Sequence, residues 1–209
     1  MAKENKKEPG WESIQNALRN LYGNQAPEYF GTVQRYSEGS NDPLDGISAY
    51  AVDDPNHWHF ISFGLSELYE KESSDPEVSG WGFELTFRPV REKKDKKCPA
   101  WPIQLLQTLA RYVFNTGEVF DDGHYISMGG PITKNGSPDM TGFVFALDPQ
   151  LPDIETQNGS VKFIQVICVT TEELRWIENH SAEAFMTLFA QNNPLLMTDV
   201  SRASIVGTA

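Results

Sequence analysis

The sequence predicts an α+β domain built on a mixed, largely antiparallel central sheet flanked by helices. Three observations predict it. Strand-like segments follow one another between residues 32 and 88 before a second helix intervenes, the order expected of α+β rather than alternating α/β folds. Residues 81–88 alternate: Trp81, Phe83, Leu85 and Phe87 share one face, and Glu84, Thr86 and Arg88 share the other. Two segments carry apolar residues at helical spacing instead, namely Trp11, Ile14, Leu18, Leu21 and Tyr22, and later Ile103, Leu106, Ala110, Val113 and Phe114.

Taken in order, residues 1–10 read as a polar, flexible tail ending at Pro9-Gly10, and the domain spans 11–202. The first helix ends at Gly23. Strands are expected over 32–36 and 46–52, separated by the turn-rich Asn41-Asp42-Pro43-Leu44-Asp45, and then over 57–63. A polar loop (71–79) leads to the alternating strand, and a basic loop (91–97) leads out of it. The second helix takes Pro102 as its first residue and Gly117 as its terminator. Further strands are expected over 124–128, 142–147 and 161–169. Thr170 with Glu173 three residues on is a capping-box signal for a helix to 178, and Ser181 caps another to 192. A last strand (195–200) precedes a short tail, 203–209. No internal repeat is visible.

Charge narrows the partner class. The net charge is −12, and the basic residues are segregated. Lys3, Lys6, Lys7, Arg91, Lys93, Lys94, Lys96 and Lys97 make up eight of the 17, which leaves a strongly acidic body. Such a body repels nucleic acid and anionic membrane and steers towards a basic protein partner. No run of about 18 apolar residues exists for a spanning helix, and the polar start lacks a signal core, so a cytoplasmic location is expected. Of the two cysteines, Cys168 reads as a buried free thiol. Cys98, in the lysine-rich loop, reads as exposed and reduced, with a pKa open to lowering by its neighbours.

The wording of several blocks goes beyond pattern. His57-Trp58-His59-Phe60-Ile61-Ser62-Phe63-Gly64-Leu65-Ser66-Glu67-Leu68-Tyr69 and Gly80-Trp81-Gly82-Phe83-Glu84-Leu85-Thr86-Phe87-Arg88 resemble the Suppressor of fused family. Asp42-Pro43-Leu44-Asp45, Trp101-Pro102, Leu109-Ala110-Arg111-Tyr112-Val113-Phe114, Phe163-Ile164-Gln165-Val166, Thr171-Glu172-Glu173-Leu174 and Leu196-Met197-Thr198-Asp199 follow the family's order, so the resemblance covers residues 11–202. It implies a single-domain, bacterial-type member that binds protein and is not an enzyme. In animal members the partner adds an extended peptide as a strand between two domains, and the second of these is not expected here. The corresponding edge is Phe120-Asp121-Asp122-Gly123-His124-Tyr125-Ile126-Ser127. Animal members place an acidic residue after that glycine, where this chain has His124, so a different peptide specificity is expected. Tyr112, Asp121, Asp122 and His124 are the resulting candidate partner-binding residues. Bacterial relatives imply an immunity protein against a toxin, with the acidic body suited to a basic one.

Other chemistry is weaker. His57 and His59 lie two apart on one strand face and, with His124, are the candidate ligands of a small metal-dependent enzyme, the alternative reading. No nucleophile elbow surrounds Ser62 or Ser66, and Gly129-Gly130-Pro131 lacks the P-loop lysine. Cofactors are therefore not expected. Glu84 and Arg88, on the polar face of their strand, are expected to pair with each other in reduced solvent.

Overall fold

The computed structural model describes residues 8–34, 36, 39–92, 95, 97–133 and 139–207. The lysine-bearing segment 1–7, together with Lys93, Lys94 and Lys96, lies outside the described residues. The elements are α1 (Pro9–Tyr22), β1 (Glu28–Gly31), β2 (Gly46–Asp53), β3 (Asn56–Phe63), β4 (Val78–Phe87), α2 (Ala100–Thr116), β5 (Tyr125–Ser127), β6 (Met140–Leu147), β7 (Ile154–Thr156), β8 (Gly159–Thr170), α3 (Thr171–Asn179) and α4 (Ala182–Ala190). They form one sheet in the order β1-β2-β3-β4-β8-β6-β5, with β7 also paired to β8. Among the described strands only β4 and β8 run parallel; every other strand pair is antiparallel. The expected mixed, largely antiparallel sheet is therefore observed.

Alternation along the strands explains why both faces are covered. Phe83, Leu85 and Phe87 of β4 are buried in one cluster with Leu106, Leu109, Ala110 and Val113 of α2. On the opposite face, Ile61, Phe63 and Phe163 pack with Ile14 and Leu18 of α1. Further along that face, Val144, Ala146, Ile167 and Val169 pack with Ile177 of α3 and Phe185 and Phe189 of α4. Each helix thus buries the single stripe its sequence provides.

The helix termini follow their signals. Thr170 Oγ1 accepts from Glu173 N at 3.1 Å while Glu173 Oε2 accepts from Thr170 N at 2.8 Å, a complete capping box. Ser181 Oγ accepts from Ala184 N at 3.0 Å. Gly117 adopts the left-handed conformation (φ 75°) that ends α2. Two boundaries move: α1 takes in Pro9 and Gly10, and α2 starts at Ala100, which makes Pro102 its third residue. Gly10 packs so tightly that a Cβ there would lie 2.1 Å from the Glu67 carbonyl oxygen, seating the start of α1 on the 64–77 segment.

Two predicted strands are corrected. The first lies at Glu28–Gly31, not 32–36; beyond Gly31 the pairing with β2 ends and Val33 is fully exposed. Residues 195–200 form no ladder, only an isolated bridge between Pro89 and Thr198. Side chains take the backbone groups a ladder would use there. Gln165 Nε2 donates to the Leu195 and Leu196 carbonyls at 3.0 and 2.7 Å, and Asn193 Oδ1 accepts from Met197 N at 2.9 Å. The last described residues pack on the body, with Val206 in the α3–α4 cluster. The unforeseen hairpin β7–β8 turns at Gln157-Asn158 and enters β8 at Gly159, which has φ +110°.

Candidate functional site

β5 is a three-residue strand at the rim of the sheet, paired on one side to β6 through Tyr125↔Val144, Ile126↔Phe143 and Ser127↔Gly142. Phe145 N donates to His124 O at 2.9 Å and Met128 N donates to Thr141 O at 2.8 Å. Main-chain direction alternates along a strand, so Ile126 faces β6 and the N–H and C=O of Tyr125 and Ser127 face outward. Among the described residues no strand pairs with that outer side. Such an edge is a template for strand addition.

The four candidate residues gather at the entrance to this strand. Asp121 N donates to His124 Nδ1 at 3.2 Å, closing a turn, and Asp122 N donates to Asp121 Oδ1 at 2.9 Å. Lys162 Nζ sits 3.1 Å from both oxygens of Asp121. Partial burial would raise the Asp121 carboxyl, but the Asp122 N–H and the Lys162 ammonium outweigh it and hold the group below its ordinary value. Asp122 and His124 are exposed. Tyr112, on the last turns of α2, stacks on Phe120 (centroids 5.6 Å apart), which stacks on Phe145 (4.1 Å). Its hydroxyl donates to Glu118, and that neighbouring carboxylate pushes the phenol above its ordinary pKa. With Tyr125 and Met128 each 42 % exposed, the edge is flanked by accessible apolar side chains beside two acids and an imidazole.

The three-histidine constellation does not form. His57 and His59 lie on β3, whereas His124 precedes β5, four strand spacings away, or about 19 Å at ~4.8 Å each. His59 uses both ring nitrogens on protein partners: Nε2 donates to Asp148 Oδ2 at 3.2 Å and Nδ1 accepts from Tyr22 Oη at 2.5 Å. His57 Nδ1 donates to the Pro55 carbonyl at 2.6 Å. Among the described residues no three His, Cys, Asp or Glu side chains are grouped to hold a metal ion.

The polar face of β4 departs from expectation. Glu84 and Arg88 are both fully buried but do not pair. Four residues on a strand span about 13 Å, against about 6 Å on a helix. Glu84 instead accepts from Ser62 Oγ (2.5 Å), Ser66 Oγ (2.6 Å), Gly64 N (2.9 Å) and Ser66 N (3.0 Å). Burial raises its pKa against those donors. Arg88 pairs with Asp148, giving Nη1 to Oδ2 at 2.5 Å and Nη2 to Oδ1 at 2.9 Å. Asp148 also accepts from Thr86 Oγ1 (2.7 Å), Gln150 N (2.9 Å) and Leu151 N (3.0 Å). Against its burial, His59 and Arg88 hold the Asp148 carboxyl well below the usual carboxylate range. Burial, helped by the Arg88 cation, lowers His59 to about 4, so it is neutral beside an ionised Asp148. Asp148 escaped sequence reasoning; its one signal was an acid-proline pair, Asp148-Pro149, closing an apolar strand.

Both cysteines are free. Cys168 is buried and its thiol is pushed up to about 12 by burial. Cys98 corrects expectation: it packs against the α2 core, and burial, with the Glu28 carboxylate, pushes its thiol up to about 12 as well. No helix among the described residues is long and apolar enough to cross a membrane.

Comparison with known proteins places this geometry. The family description "Suppressor of fused protein (SUFU)" matches residues 40–203. The Suppressor of fused homologs of Homo sapiens and Mus musculus are each 36 % identical over 213 residues, covering 94 % of this chain and 44 % of theirs. The chain thus spans less than half the length of the curated relatives it matches. Among solved structures, a chain of the Sufu–Fu complex superposes with a TM-score of 0.85 at 32 % identity, covering 95 % of this chain and 93 % of that one. Drosophila Suppressor of Fused gives 0.86 at 31 %, covering 98 % of this chain and 53 % of that one. A SUFU homolog from Neisseria gonorrhoeae FA 1090 gives 0.67 at 18 % identity, covering 96 % and 98 %, a likeness of fold.

Proposed function

Because the chain belongs to the Suppressor of fused family, we propose that it is a non-enzymatic protein-binding module that sequesters or neutralises a protein partner. The observation that carries this reading is the open outer edge of β5, flanked by Tyr112, Asp121, Asp122 and His124. One solved relative is a complex with Fu, which supports protein binding as the family's mode of action. The partner adds an extended segment to β5 through the outward main-chain groups of Tyr125 and Ser127, and the flanking side chains select it. The net charge of −12 favours a basic partner, and an immunity protein that covers a basic toxin in the cytoplasm is the finer form of the proposal.

The test is affinity capture from lysate of the source organism at low and high salt, with wild type and Ser127→Pro side by side. Proline removes an outward N–H but no bond to β6, a change edge strands tolerate. Recovery of one basic polypeptide, lost with rising salt and lost with Ser127→Pro, supports the proposal. Equal recovery by both proteins would exclude β5 as the docking edge.

A further inference from the structure

β3 and β4 form a ladder at only two registered positions, Phe60↔Phe87 and Ile61↔Thr86; pairing continues on one side through Trp58 N to the Pro89 carbonyl and the His57↔Val90 bridge, and on the other β3 ends at Phe63. The segment 64–77 that joins the two strands borders a cleft of about 650 Å³. Its walls are aromatic: Tyr36, Tyr69, Trp81 and Phe114. Phe114 lies edge-on to Tyr36 and to Trp81, with centroids at 4.9 and 5.6 Å. Tyr36 is 40 % exposed and Trp81 half-buried, so ring surface remains open. Beneath, the backbone of Gly64 and Ser66 is fixed by the buried Glu84 carboxylate, which gives the cleft a rigid floor.

Among the described residues the rim is acidic. Glu67 is occupied by the N–H groups of Glu72 and Ser73 and by Lys71 at 3.1 Å. Asp45 accepts from Tyr69 Oη at 2.6 Å. Lys71 is turned into its own loop, donating to the carbonyls of Val78 and Asn158. Glu70 and Glu72 remain exposed, and no lysine or arginine lines the cleft among the described residues. Open aromatic faces beneath unneutralised carboxylates attract a cation through the ring quadrupoles and through charge together.

We propose that this cleft is a second binding site, which takes an arginine or lysine side chain from a basic segment of a partner protein. It is separate from the β5 edge. Phe114 and Tyr112 are two residues apart on α2, about 200° around the helix, so the end of α2 divides the cleft from the edge. The site therefore stands or falls independently of strand addition at β5.

The test titrates an end-blocked glycine–serine heptapeptide carrying two arginines into the full chain, following the indole ¹H–¹⁵N resonance of Trp81, assigned with Trp81→Phe. The control peptide carries citrulline, which keeps the shape and removes the charge. The proposal expects saturable, salt-sensitive movement of the Trp81 resonance with the arginine peptide and none with citrulline. Glu70→Gln with Glu72→Gln, a surface change that leaves the core untouched, is expected to weaken binding about ten-fold, while Asp153→Asn, an exposed acid outside the cleft, leaves it unchanged. A Trp81 resonance unmoved by the arginine peptide, or moved equally by citrulline, would overturn the proposal. So would binding seen only after removal of residues 1–7, which would make the chain's own lysines the occupant.

Discussion

Acidification is expected to destabilise this protein well above the range in which its carboxylates titrate, and His59 is the reason. The ring is fully buried, donates to Asp148 and accepts from Tyr22, an arrangement that needs the neutral imidazole. Its folded pKa is lowered from 6.5 to about 4. The sign follows directly. Between those values the unfolded chain binds a proton that the folded chain refuses, so stability is complete above pH 6.5 and falls as pH drops towards 4. Worked through the linkage relation, moving from pH 7 to pH 4.5 costs about 2 kcal/mol from this one ring. That is a large share of a typical stability of ~5–15 kcal/mol. His57, whose pKa is also lowered by burial, adds in the same direction. The assay is urea unfolding by tryptophan fluorescence at pH 7, 6, 5 and 4.5, for wild type and His59→Gln. Glutamine keeps a donor and an acceptor but does not titrate, so it is expected to start less stable and to lose about 2 kcal/mol less across the range. Equal pH slopes for the two proteins would refute the assignment of a neutral buried His59.

Three further outcomes are expected. Arg88→Met leaves Asp148 buried without its cation and should cost about 3–5 kcal/mol, the usual penalty for breaking a buried pair, read as a lowered urea midpoint. The double variant Arg88→Met/Asp148→Leu should recover part of that loss; no recovery would mean that the carboxylate's other donors dominate. Glu84→Gln turns an NH₂ group towards donors that need an acceptor and should cost about 1–3 kcal/mol by the same measurement, with hydrogen exchange rising at Gly64 and Ser66. Thr170→Ala removes one half of the capping box and should cost about 1 kcal/mol, with exchange faster in the first turn of α3 alone.

The sequence made legible whatever depends on local periodicity. The stripe Ile103, Leu106, Ala110, Val113 and the alternation of β4 are read correctly because each element buries the face its own residues define. Asp121, Asp122 and His124 share one turn because they are neighbours in the chain, while Tyr112 reaches it from α2 by stacking on Phe120. What failed depends on partners distant in sequence. Glu84 and Arg88 look like a pair in a one-dimensional reading, yet an extended strand separates them and the sheet brings each a closer partner. For Arg88 that partner is Asp148, 60 residues on, which reaches β4 because β8 lies beside it in the parallel arrangement. No spacing rule predicts that crossing. The same holds for residues 195–200, where an apolar, strand-like run is denied a ladder because Gln165 and Asn193 occupy its backbone groups first. The buried polar network also bears on function. By tying β3, β4 and the segment after β6 together through His59, Arg88 and Asp148, it fixes the middle of the sheet. The outward main-chain groups of β5, unpaired by any strand among the described residues, and the rings of the 64–77 cleft lie at its margins, so the proposed docking at either place requires no rearrangement of the core.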